Sequence, residues 1–519
     1  SPLFLTLNHA ELSRMKIGPG FFNHTANVNP RKEEGIMKKS KWMLTVALVV
    51  LFLFPAGAFA EPITINWWFA HGGRLGEKVQ EIVADFNASQ SEYKVVATYK
   101  GNYSDTMMAG IAAFRAKSPP HILQVYEVGT ATMMSAKGAI KPVYEVMADS
   151  GLPFDPKAYL PTVTGYYTTP EGKMLSMPFN SSTPVLWYNK DAFKRAGLDP
   201  NKPPQTWPEV AEYAKKIVDA YSDQATKIGP IVKALEEAKA AFEKAEMKDQ
   251  AAQVNDILVE TQSNVITAGF STAWISWIHM ENFSAWHNVP IGTKANGFGG
   301  FDTEFVFNSP LHTKHIQQLA DWQKENVFVY GGRRNIGNAL FSSGQVAMYT
   351  ESSAGYAGFK RTCKFDFGTS MLPYWPDATG APQNTIIGGA SLWVLQGHSP
   401  EEYKGVAAFF NYLSKPEVQA DWHEFTGYLP ITLAAYDLKK KQGFYNQNPQ
   451  METALKQMTL NTPTENSRGL RFGNFVQMRA IMYDTFEAIF SQQETAQKGL
   501  DEAVKKGNSL LRKFERANK

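Results

Sequence analysis

The stretch Met177-Pro-Phe-Asn-Ser-Ser-Thr-Pro-Val-Leu-Trp-Tyr-Asn-Lys-Asp-Ala-Phe-Lys-Arg-Ala-Gly-Leu-Asp199 decides how the rest of the chain is read. Pro178 and Pro184 bracket a polar turn at 180–183, since proline interrupts strands rather than continuing them. Val185, Leu186, Trp187 and Tyr188 follow as a short apolar, aromatic run with strand character. Asn189 is placed to cap a helix that begins near Asp191, carries Phe193 and ends at Gly197, with Pro200 barring its continuation. Small hydroxyl and amide side chains thus lead directly into a buried strand near mid-chain. There a two-lobed protein passes from one lobe to the other, a place that suits a ligand.

Toward the N-terminus, 63–69 alternates as a strand, and 75–86 has helical spacing through Leu75, Val79, Ile82, Val83 and Phe86. A second strand at 93–99, a second helix at 103–117 and a third strand at 121–126 follow. This alternation belongs to an α/β domain, in which ligands collect at the carboxyl ends of strands. Tyr103 and Glu127 stand there.

Toward the C-terminus, Thr206-Trp-Pro-Glu209 is a capping box that opens a helix through about Tyr221. The segment 223–264 is rich in Ala, Glu, Lys and Gln, and Ile231, Leu235, Ala238, Phe242 and Ala245 recur at steps of four and three. It predicts two antiparallel helices, 231–247 and 250–263, inserted in the second lobe as structural decoration or as a partner-docking arm. Trp274 and Trp277, three apart, share a face if 271–281 is helical. A strand at 345–350 runs into Glu351-Ser352-Ser353, and 384–395 reads as a strand whose Gly388-Gly389 admits close backbone approach. Helices from Glu401 and Pro416 and an amphipathic tail at 476–513 complete the chain.

With 519 residues and 44% hydrophobic content, the chain has material for two cores. The formal charge of +3 is carried by the N-terminal segment: residues 1–60 hold seven Lys/Arg and three Asp/Glu, leaving −1 beyond them. That balance does not call for nucleic acid or an anionic membrane. Lys38, Lys39 and Lys41 precede an apolar run from Met43, and Ala58-Phe59-Ala60 supplies the small residues of a cleavage site, so 37–60 reads as a secretory signal peptide. An uncleaved anchor is the rival reading, although the run is short for a membrane span. Met37 is its natural start, with 1–36 an upstream extension, and no cysteine follows the cleavage site to accept a lipid. A soluble periplasmic protein follows. Cys363, the single cysteine, excludes an intramolecular disulfide and reads as a small buried apolar residue. The histidines have no metal-like spacing, and no H-E-x-x-H, Walker A, nucleophile-elbow or dinucleotide motif stands in the right context. No catalytic residue, metal or cofactor is expected.

Proline, a polar turn and then L-x-Y-N-K-D-x-F-x-x-A-G-L resembles the crossover of the solute-binding proteins that serve bacterial ABC sugar importers, the maltose-binding-protein-like extracellular family. Phe179 to Leu186 is closer still to members that take sn-glycerol 3-phosphate. The resemblance implies two α/β lobes of the type II periplasmic-binding architecture, joined by hinge crossovers. It also implies ligand contacts from Tyr103 in Lys100-Gly-Asn-Tyr103, from Glu127 as an ionised acceptor for glycerol hydroxyls, and from Ser182. Trp274 and Trp277 match paired tryptophans in Trp274-Ile-Ser-Trp-Ile-His-Met-Glu-Asn-Phe-Ser-Ala-Trp286. Ser352, Gly389 and Tyr428 fall on phosphate or glycerol contacts, and Arg479 falls on the phosphate arginine, with Arg468 and Arg471 as rivals. The segment Trp68-Phe-Ala-His-Gly-Gly-Arg74 departs from the family pattern, and Arg74 adds positive charge at the first lobe's rim.

The expected organisation is a first lobe over 61–180, a second over 181–380 that includes the insertion, and return crossovers with helices completing both lobes over 381–519. The expected function is monomeric capture of sn-glycerol 3-phosphate or a glycerophosphodiester such as glycerophosphocholine for an ABC permease. An oligosaccharide-binding protein of the same fold and a secreted phosphodiesterase are the alternatives.

Overall fold

Two sheets organise residues 61–519, the part of the chain that the computed structural model describes, apart from Pro170 and Asn264. The expected signal peptide over 37–60 and upstream extension over 1–36 lie outside the described residues, of which none form a helix long and apolar enough to cross a membrane. Pro62–Lys519 is one compact unit.

The first sheet is built from β1 (Ile63–Phe69), β2 (Tyr93–Tyr99), β3 (Ile122–Tyr126), β4 (Ile140–Lys141), β5 (Met177–Ser182) and β11 (Gly388–Leu395), in the order β2-β1-β3-β11-β4 with β5 also on β11. β1, β2 and β3 run parallel, linked by helices α1 (Gly73–Ser89) and α2 (Tyr103–Arg115). β1 alternates as predicted, burying Ile65, Trp67 and Phe69. The second sheet has the order β10-β6-β9-β7-β8, from β6 (Pro184–Asn189), β7 (Ala268–Thr272), β8 (Phe328–Tyr330), β9 (Val346–Ser352) and β10 (Phe367–Ser370). Helices flank both sheets, as the expected α/β class requires.

The quoted stretch is the junction. β5 belongs to the first sheet and β6 to the second, with Thr183 alone between them. The expected turn at 180–183 is therefore wrong: Asn180, Ser181 and Ser182 lie in strand β5 and pair with Ala390, Gly389 and Gly388. Pro178 is tolerated because β5 reaches the sheet only through β11, and the register slips by one residue between Ala390 and Ser391. A second crossover runs alongside, where the Thr183 hydroxyl lies 2.7 Å from Thr385 Oγ1 and 3.0 Å from the Ile386 carbonyl oxygen, in reach of a hydrogen bond to each crossover residue. Asn189 caps Lys190–Arg195 as predicted, accepting from Ala192 N.

The capping box of Thr206 and Glu209 is present, but the helix it opens, α3 (Trp207–Lys244), is continuous through Pro230 and pairs with α4 (Lys248–Gln262). The expected break near 221–231 does not occur. Proline forfeits one backbone hydrogen bond, yet the seam carries the helix past it: Leu235, Ala238 and Phe242 are half-buried, whereas Ile231 is exposed. At the C-terminus, α5 (Phe475–Phe490) and α6 (Ala496–Asn518) pack in the second lobe's core through Phe475, Met478, Phe486 and Leu500. Cys363 is half-buried against the other core, where burial pushes its thiol up to about 12.

Candidate functional site

Separate segments from both lobes supply the walls of one cavity of about 180 Å3. All nine sequence-predicted residues line it: Tyr103, Glu127, Ser182, Trp274, Trp277, Ser352, Gly389, Tyr428 and Arg479.

From the first sheet, Asn102 caps α2 through a reciprocal box with Asp105 and so fixes Tyr103 at the first helical position. Its ring stacks on Tyr126 at 5.3 Å, and its hydroxyl accepts from Asn180 Nδ2 at 3.0 Å. Glu127 follows β3 in a short 3-10 turn and is buried. Burial raises its pKa and the Arg479 guanidinium opposes that rise. At the crossover, Gly388 and Gly389 let backbone and ring come closer than a side chain permits. A Cβ on Gly388 would lie 2.4 Å from the Trp277 ring, and one on Gly389, whose φ is +110°, 2.0 Å from the Asn180 carbonyl oxygen.

The predicted helix over 271–281 is corrected. β7 continues to Thr272, Trp274 sits in the left-handed region at φ +43°, and the helix begins only after it, widening to a π turn over Trp277–Asn282. A π turn changes the angular step between residues, so the tryptophans reach the cavity by a kink and not by three-residue helical spacing. The strain at Trp274 is held by its N–H donating to Arg334 O at 2.7 Å.

Arg479 points inward from α5. Its Nε donates to Glu281 Oε1 at 2.7 Å, and its Nη2 donates to Glu281 Oε2 and to Glu127 Oε1, each at 2.6 Å. One guanidinium therefore sits between two buried carboxylates, which hold its pKa well above the usual arginine value against the opposing effect of burial. Its Nη1 has no protein partner among the described residues and keeps two N–H donors. The Trp277 indole N–H is likewise buried and unpaired. These are the donors an acceptor-rich ligand needs.

Sequence reasoning missed Glu281, Asn180, Tyr126 and Glu351. Glu281 stood in the quoted tryptophan motif but read as one more helical acid, and only tertiary folding brings it to Arg479, 198 positions away. The rival arginines are engaged elsewhere: Arg468 and Arg471 stack on Phe298, and Arg471 Nη2 donates to the Tyr166 and Thr168 carbonyls. Arg74 stacks on Phe425 and does not line this cavity. His71, from the same departing segment, lies under Tyr103 and Tyr428, and burial lowers its pKa to about 4, so it is neutral.

Among the described residues, His121, His398 and Glu402 stand close enough together to suggest a metal. However, Asn66 N–H donates to His121 Nδ1, which puts that ring's proton on Nε2, toward Glu402 at 3.1 Å. A protonated nitrogen is not a ligand atom, and the group reads as a hydrogen-bonded strut.

Residues 81–453 match the family described as bacterial extracellular solute-binding protein. The chain belongs to that family, and is a binding protein rather than an enzyme. Among its relatives it is 46% identical to the sn-glycerol-3-phosphate-binding periplasmic protein of Yersinia pestis, over 92% of this chain and 98% of that one. It is 44% identical to the protein of the same name from Escherichia coli (strain K12), over 92% and 98%. Two solved structures share the fold. UgpB from Mycobacterium tuberculosis in complex with glycerophosphocholine has a TM-score of 0.66 at 20% identity, over 88% of this chain and 99% of that one. The Thermus thermophilus maltotriose binding protein has a TM-score of 0.60 at 16% identity, over 86% and 99%. The two-lobed type II architecture is thus the family's.

Proposed function

We propose that this protein is the periplasmic binding component of an ABC importer and captures sn-glycerol 3-phosphate, or a glycerophosphodiester such as glycerophosphocholine, in the cleft between its lobes. The observation that carries the reading is the convergence of the nine residues on one cavity beside which Arg479 Nη1 is unengaged and the buried Trp277 indole N–H is unpaired among the described residues. A phosphate withdrawn from water must have its oxygens hydrogen-bonded, and these donors with the Ser182 and Ser352 hydroxyls meet that need. Glu127 accepts from glycerol hydroxyls, and the tryptophan faces pack on the glycerol backbone or on a quaternary ammonium. The curated relatives bear the name of the same ligand at 44% to 46% identity. A small cavity suits a compact polyol phosphate better than an oligosaccharide.

Ligand contacts from both lobes would stabilise a closed form, which a permease then recognises. In this reading the chain acts as a monomer, exported by a cleaved signal peptide and without a lipid anchor. Calorimetry with sn-glycerol 3-phosphate, glycerophosphocholine and maltose tests it. Saturable heat with either phosphate ligand is the expected result, and heat with maltose alone overturns it.

A further inference from the structure

Glu351 is the last acid of β9, two residues from the crossover partner Ser353, and it lines the same cavity. It is 2% exposed. Its Oε1 accepts from the Ser352 N–H at 2.6 Å, whereas Oε2 is buried without a hydrogen-bond partner among the described residues. Asn338 and the Trp274 indole stand close enough to favour the anion, but neither completes a bond to Oε2. No lysine, arginine or histidine among the described residues forms an ion pair with it. The charged groups across the cavity are the Arg479 guanidinium and its two carboxylates, already net negative. The other titratable groups facing it are Tyr349 on its own strand and Tyr428 opposite, both held neutral by burial.

We propose that Glu351 is a specificity-determining ligand contact that works as a neutral acid, donating its Oε2 hydroxyl to an anionic phosphate oxygen and so making capture proton-linked. This rests on the phosphoester reading above. An ionised Glu351 would place another negative charge, without a counter-ion, beside an anionic ligand. The neutral acid removes that repulsion and turns the one unpaired carboxyl oxygen into a donor that lacks only its acceptor. Burial pushes the group up to about 8, so it carries its proton at neutral pH and loses it just above.

The test is calorimetric titration of the purified protein with glycerophosphocholine between about pH 6 and 9. Its diester does not titrate near neutrality, unlike a phosphomonoester with a second pKa of about 6. Affinity is expected to be flat to about pH 7 and to fall about tenfold below that plateau by about pH 9. Binding near pH 8 is expected to take up protons, read as an apparent enthalpy that varies with the buffer's ionisation heat. A Glu351→Gln protein, which keeps an N–H donor but has no proton to lose in this range, is expected to lose both signatures, whatever its affinity at pH 7. A flat wild-type profile, an affinity that rises with pH because the carboxylate pairs with the ammonium, or a decline retained by Glu351→Gln each overturns the role. If that variant does not fold, the wild-type pH and buffer series decides alone. Absence of binding by any glycerophosphoester at any pH sinks the functional reading itself, and this inference with it; binding without proton linkage sinks only Glu351.

Discussion

Two buried polar clusters differ in how completely they are satisfied. In the second lobe, the Trp375 indole donates to His315 Nδ1, leaving His315 Nε2 to donate to His279 Nδ1 and His279 Nε2 to donate to Thr350 Oγ1. Thr350 donates to Thr272, and Thr272 to the Ala273 carbonyl. Beside this chain, His312 Nδ1 accepts from Ser309 while its Nε2 donates to Ser284, and His287 is bonded at both nitrogens, to Phe283 O and Trp375 N. Every proton on these four histidines and on the groups they bond has a place, although the Trp207 indole packed against His279 and His315 does not find one among the described residues. In the cleft, Arg479 Nη1, the Trp277 indole and Glu351 Oε2 have none. Unpaired indoles also occur in the cores, at Trp67 and Trp393, so an orphan group alone is no signal. What marks the cleft is that donor, cation and acid are left unpaired among the residues that line one cavity.

A closed proton chain has no room for another proton, and acid therefore gives the largest expected effect. Burial lowers His279 and His312 to about 3 and His287 to about 4, and it also lowers His315. These rings stay neutral when folded, while the unfolded chain binds protons below about pH 6.5. Stability is complete above that value and is lost as pH falls through it, by about 2 kcal/mol per histidine at pH 5. Denaturant unfolding followed from pH 7.5 to 5 is expected to show a loss of several kcal/mol, with proton uptake on unfolding. A flat profile would mean that the histidines are not held neutral and would break the comparison.

Removing the cation from the cleft comes next. Arg479→Ala leaves Glu127 and Glu281 buried and facing each other, and breaking such an arrangement costs about 3 to 5 kcal/mol. Urea unfolding is expected to register that loss, and calorimetry a fall of at least about a hundredfold in phosphoester affinity. The stability deficit should shrink as pH is lowered, because Glu127, whose pKa burial already raises, then takes a proton. A deficit independent of pH would point to lost packing instead of stranded charge. At the crossover, Gly389→Ala drives a methyl group toward the Asn180 carbonyl at a positive φ, for about 1 to 3 kcal/mol. Because Asn180 holds the Tyr103 hydroxyl, the ligand affinity of this variant should fall with its stability.

How much of this was legible in the sequence follows from which features are local. The strand and helix alternation, the capping box at 206–209 and the asparagine cap at 189 depend on spacing within one turn or one pleat, and they were read correctly. The site residues were legible because the resemblance ordered them along the chain. Three features were hidden by distance or by backbone geometry. A tetrad of small polar residues between prolines reads as a turn until β11 arrives from two hundred residues away to pair with it. Trp274 at positive φ and the π turn after it break the regular step that a helical reading assumes. Glu281 and Glu351 were ordinary acids until folding set one against Arg479 and left the other without a partner.

The hairpin of α3 and α4 supplies the smallest effect and the sharpest control. Ile257 on α4 is 51% exposed, and no residue of α4 lines the cavity. Ile257→Ser removes a side chain that water already reaches, so stability should change by no more than about 0.5 kcal/mol. Phosphoester affinity should not change at all, since additivity holds between sites that share no partners. A measurable loss of affinity would show that the hairpin communicates with the cleft, and the contrast between a satisfied interior and an open cavity would then no longer account for where binding is controlled.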